Sequence, residues 1–81
     1  MPRYYFHISL ASAYVHDAVG ADLTDEAAAR QRAMEDITAV WQSCTIPKRD
    51  PTKCAVVVAD KQGTELFRVA FVEAPGVMAR L

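Results

Sequence analysis

Residues 53–72 read KCAVVVADKQGTELFRVAFV, and the way this stretch pairs with itself decides the fold. Val56, Val57 and Val58 form one apolar run, and Leu66, Phe67, Val69 and Phe71 form a second, with DKQG (60–63) between them. β-Branched and aromatic residues suit a pleated, half-buried surface, and a short polar link ending in glycine folds one strand back on the other. Asp60 suits the first position of a type I turn, and Gly63 the position that closes it with a bulge. That turn pairs Asp60 with Thr64 and therefore Val57 with Phe67. Val57, Phe67, Val69 and Phe71 then share one face, and Val56, Val58 and Leu66 share the other. A loop one residue longer swaps Val57 for Val56.

The stretch before the hairpin, TIPKRDPT (45–52), carries Pro47 and Pro51, which a helix cannot continue through, and reads as a loop. Before it, LTDEAAARQRAMEDITAVWQSC (23–44) is the clearest element. Ala29, Ala33, Ile37, Val40, Trp41 and Cys44 recur at helical spacing and form one stripe. Thr24 or Asp25 can cap the first turn, and Asp25 and Glu26 suit its positive end. Trp41, Ile37, Phe6 and Phe67 are expected to meet beneath this helix.

The opening RYYFHISL (3–10) alternates. Tyr4, Phe6, Ile8 and Leu10 fall on one side, and Arg3, Tyr5, His7 and Ser9 on the other, as in a half-buried strand. A short antiparallel strand near residues 14–16 follows, then DAVG (17–20) as a turn in which Gly20 is free to take positive φ. The order β-β-α-β-β predicts an α+β fold: an antiparallel four-stranded sheet with one amphipathic helix packed on one face. Residues 1–72 make a single domain, and 73–81 an irregular tail broken by Pro75 and Gly76.

The totals agree with one small globular domain. Domains run from about 50 to 250 residues, so 81 residues leave no room for a second core. A composition 52% hydrophobic and 23% charged is that of a folded chain. Nine basic and ten acidic side chains give a net charge of −1. Nucleic-acid binding draws its affinity from phosphate neutralisation, so this balance argues against it, and it also leaves little repulsion to oppose self-association. No apolar run approaches the ~20 residues that cross a bilayer. Ala11, Ser12 and Ala13 have the look of a signal-peptide cleavage site. The run before them is broken by His7 and Ser9 and alternates as a strand does, so a cytoplasmic setting is expected.

The opening MPRYYF (1–6), Asp17, and the run GADLTDEAAAR (20–30) with Gly20, Leu23, Asp25, Ala28, Ala29 and Arg30 resemble a family of small bacterial proteins of unknown function. Its members begin M-P-R-Y-x-F and carry G-x-x-L-x-D-x-x-A-A-R at the helix start. The hairpin with Asp60 and Gly63, and the strand ending at Phe71, are similar too, so the resemblance spans residues 1–72. Thr24 stands where the family often has proline. The resemblance implies a fold and no activity. Turn, cap and packing duties account for its residues, except that Arg30 has no obvious task in a core.

Several constellations are candidates for chemistry. Tyr5 and His7 share the outer face of the first strand, and Arg68 joins them if the last strand is near; together they could bind a small anion. No nucleophile or carboxylate is evidently placed to orient the histidine, so a mixed sheet face or a dimer contact is the plainer reading. His7, His16, Cys44 and Cys54 have the inventory of a metal site without its short paired spacings, so neither a metal nor a cofactor is expected. A disulfide between Cys44 and Cys54 is sterically open, yet both thiols are expected reduced in a cytosolic protein. Asp17, Asp22, Asp25 and Glu26 depart from calcium-loop spacing. Lys48, Arg49 and Lys53 read as a solvated loop.

The chain therefore reads as a non-catalytic interaction module, with an enzyme the lesser expectation. One helix covers one face of a sheet, so Tyr5, Val56, Val58 and Leu66 are expected to form an outer apolar patch buried in a homodimer. The alternative is a small-ligand or anion site at Tyr5, His7 and Arg68.

Overall fold

A computed structural model describes residues 2–10, 13–42 and 53–74. Among them the sheet has five strands: β1 (Arg3–Ser9), β2 (Tyr14–Val15), β3 (Ala21–Asp22), β4 (Ala55–Ala59) and β5 (Glu65–Ala70). Helix α1 (Glu26–Gln42) follows β3, and a 3₁₀ turn (Phe71–Glu73) follows β5. The order is β2-β1-β4-β5, with β3 also on β1, and every pairing is antiparallel. The α+β class, with one helix on an antiparallel sheet, is as the alternation and the helical stripe predict.

One more short strand is present than expected. β2 pairs with the C-terminal end of β1 (Ile8 with Val15) and β3 with its N-terminal end (Tyr4 with Ala21). The chain thus runs the length of β1's outer edge, with a loop at residues 16–20 between the two contacts. Gly20, at φ 75°, turns it back. A Cβ there would lie 2.9 Å from the Tyr4 carbonyl oxygen and 3.0 Å from Tyr5 Cε2, so only glycine permits so close an approach.

The helix begins as its sequence directs. The Asp25 carboxylate accepts the Ala28 N–H at 2.9 Å, satisfying one of the donors that a helix start leaves unpaired. Ala29, Ala33 and Ile37 are fully buried against the sheet, and Val40 and Trp41 pack at the margin. Trp41 is half-buried and meets Phe71 edge-on at 6.2 Å, so Ile37 is the deeper anchor. Cys44, Lys48 and Arg49 lie outside the described residues, as does most of the tail expected from residue 73.

The hairpin corrects the expected register. Its turn forms: Asp60 N–H donates to the Thr64 carbonyl at 3.0 Å, the Asp60 carboxylate accepts the Gln62 and Thr64 N–H groups at 2.9 Å, and Gly63 has φ 87°. The ladder then shifts between Val58 and Ala59. Ala59 faces Glu65, Val58 faces Phe67 and Val57 faces Arg68, leaving Leu66 as the extra residue of a bulge. The cause lies on the other side of β4. β1 pairs Phe6 with Val58 and Ile8 with Val56, so its apolar face draws those two valines under the helix. Val56 and Val58 are accordingly fully buried beside Val69 and Phe71. They belong to the core, and the outer apolar patch expected of Tyr5, Val56, Val58 and Leu66 is not there.

Candidate functional site

The outer face of the sheet carries Val57 at its centre, in a cross-strand row with His7 on one side and Arg68 on the other. Tyr5 lies opposite Ala59. Tyr5, His7 and Arg68 do share this face, but β4 separates Arg68 from the other two. Arg68 is already bound to Glu65, at 2.8 and 3.3 Å. His7 is only 7% exposed.

His7 is held by the loop between β2 and β3. Asp17 N–H donates to His7 Nδ1 at 2.9 Å. An acceptor nitrogen carries no hydrogen, so the geometry assigns a neutral imidazole protonated on Nε2. The His16 ring stacks on it, with centroids 4.4 Å apart and planes 15° apart, and Tyr14 approaches to 5.8 Å. Burial and the neighbouring His16 lower the His7 pKa below the usual histidine value, against the opposing pull of Asp17.

The Asp17 carboxylate holds the same loop from its other end. One oxygen accepts the Phe6 N–H at 3.1 Å, and the other accepts Val19 N–H at 2.9 Å and Gly20 N–H at 3.2 Å. Phe6 lies on β1 between the residues paired to β2 and β3, where the ladder is interrupted, and Asp17 supplies the acceptor that a neighbouring strand would. Burial alone would raise its pKa. The Phe6, Val19 and Gly20 N–H groups, with His7, outweigh that and lower it. Arg3 completes the clasp, donating to the Val19 carbonyl at 2.7 Å and pairing with Asp22 at 3.2 Å.

Between this rim and α1 opens a hollow of about 370 Å³ lined by Val15, His16, Asp17, Val19, Arg32 and Asp36, among others. Arg32 pairs with Asp36 at 3.2 Å, and its guanidinium lies 5.9 Å from the centre of the Phe6 ring. Burial, with Asp17 and Glu35 nearby, raises the Asp36 pKa despite Arg32. On the rim Tyr14 is 55% exposed, Val15 51% and Val19 73%. Sequence reading passed over these residues. The available signal was apolar side chains in YVHDAV, a short strand running into a turn, that no core position required.

The remaining candidates are dispersed. The stacked planes of His7 and His16 do not aim two lone pairs at one ion, and Cys54 lies in the core under the helix. Among the described residues no cluster of three or more histidines, cysteines and carboxylates suits a metal. Asp22 is taken by Arg3, and Asp25 by the helix cap. Lys53 is exposed. No helix among the described residues is long and apolar enough to cross a membrane.

The family model described as Domain of unknown function (DUF6894) matches residues 3–72, and the chain belongs to that family. No curated protein and no solved structure matches the chain. The matched span runs from the first residue of β1 into the 3₁₀ turn and includes the whole Arg3, His7, Asp17 and Gly20 clasp.

Proposed function

We propose that the domain is a non-catalytic interaction module that works as a homodimer, with residues 14–19 of the rim at the interface. The exposure of Tyr14, Val15 and Val19 on one sheet edge carries this reading. Val15 and Val19 both border the hollow and Tyr14 lies beside His7, and a small domain gains by covering such exposed apolar side chains. β2 ends the strand order, so its outer side is an edge open to a further strand. A two-fold contact must be complementary to itself, and the hollow beside the rim offers both signs of charge, Arg32 against Asp36 and Asp17. At net −1 two copies repel little. A cytoplasmic setting is part of the reading, in keeping with only two cysteines.

The polar groups nearest the outer face are engaged in holding the fold, which speaks for binding over catalysis. His7 Nδ1 accepts from Asp17, the Asp17 oxygens accept three N–H groups, and Arg68 is paired with Glu65. The same engagement leaves the anion site at Tyr5, His7 and Arg68 with less behind it.

Light scattering coupled to size exclusion tests the proposal. The wild-type chain is expected to approach a dimer mass as concentration rises. A chain carrying Val15→Glu and Val19→Glu should stay monomeric with its circular dichroism unchanged. A wild-type monomer throughout the accessible range, or a dimer indifferent to both substitutions, would overturn it.

A further inference from the structure

We propose that the contact between His7 and Asp17 is a pH-operated latch: a proton added to the His7 imidazole releases the loop of residues 16–20 from the edge of β1. As a device that regulates self-association, this rests on the reading of the rim as the interface. The latch itself requires only the single chain.

The hydrogen bond itself sets the response to a proton. Asp17 N–H points at Nδ1 from 2.9 Å, and a protonated Nδ1 sets donor against donor across that distance. One of them must move. The nearest compensation for an imidazolium is the Asp17 carboxylate. Turning it toward His7 takes the acceptor from Phe6 N–H, which sits in the interrupted part of the ladder. If the carboxylate stays, the Asp17 backbone must swing away instead. Either response unfastens the loop from β1. Two packings exchanging one acceptor between two donors make a bistable element.

The surroundings of His7 set where the latch operates. From the rim it faces His16, stacked at 4.4 Å, Tyr14 at 5.8 Å and Asp17. From β4 it faces Val57, which carries no charge, and beyond that lies Arg68, neutralised by Glu65. Burial opposes a charge on His7 and His16 opposes it further, while Asp17 favours it. The release therefore falls below the ordinary histidine value of about 6.5.

Hydrogen exchange by NMR on the isolated chain tests this. Protection factors, corrected for intrinsic exchange, are followed for the Phe6, Asp17 and Val58 amides as pH falls from neutral. Phe6 and Asp17 should lose protection by about tenfold or more in step with the His7 ring titration, while Val58 in the core stays protected. His16→Gln removes one opposing charge and should move the transition to higher pH with the fold intact. Two results would overturn the latch: Phe6 and Asp17 remaining protected while His7 titrates, or Val58 losing protection together with them. A latch that operates without altering the mass would refute only its link to the dimer; a dimer without the exchange change would refute only the latch.

Discussion

The guanidinium of Arg30 lies over the ring of Phe67, 4.7 Å from its centre, and its Nη1 is 3.9 Å from the carboxylate of Glu73. Glu73 in turn accepts the Ala70 N–H at 2.8 Å at the start of the 3₁₀ turn. The arginine on the first turns of α1 thus joins the helix to the far edge of the sheet. The member of the sequence motif that had no evident task has a structural one.

Removing it should accordingly weaken the fold slightly and leave association alone. Arg30→Ala is expected to cost about 0.5–1 kcal/mol, the usual worth of an exposed cation–π contact. A urea melt reads the loss. An unchanged midpoint with a changed mass would mean that Arg30 serves a partner instead.

The two described glycines with positive φ should differ on substitution. Each loses about 1–2 kcal/mol when a side chain must adopt the left-handed conformation. At Gly63 a Cβ meets open space, whereas at Gly20 it meets the Tyr4 carbonyl oxygen at 2.9 Å. Gly20→Ala should therefore lower the denaturation midpoint well beyond Gly63→Ala. Equal midpoints would show that the loop does not lie so close to β1.

Asp17 should set part of the acid stability. Its folded pKa lies below the unfolded value, so the unfolded chain takes up the proton first as pH falls. The contribution is complete above the ordinary carboxylate value of about 4 and is lost below it. Asp17→Asn should destabilise the chain at pH 7 by about 1–3 kcal/mol, through imperfect satisfaction of three N–H groups. The gap from wild type should narrow at about pH 3. A gap constant across both pH values would contradict the charged role.

Much of the frame was legible because it rests on local physics. The alternation in residues 3–10, the Asp25 cap and the turn at Asp60 and Gly63 each follow from neighbours in sequence. The register of β5 does not. Val56, Val57 and Val58 are all apolar, so a period of two cannot choose between them, and only the pairing of Phe6 with Val58 on the opposite strand decides. The bulge at Leu66 is the adjustment between that demand and the turn, and no local signal announces it. The clasp was hidden for the same reason. Asp17 reads as a turn residue, yet its carboxylate serves Phe6, eleven residues away. His16 was visible as a possible ligand, while its stacking on His7 depends on the two strands meeting.

Association through the rim of residues 14–19 is tested by a dilution series followed by ¹H–¹⁵N correlation spectra at neutral pH. Dilution is expected to shift the amide signals of Tyr14, Val15, His16 and Val19 along one concentration curve, while those of Val57 and Leu66 hold still. Signals that are independent of concentration, or shifts confined to β5 around Leu66, would contradict it.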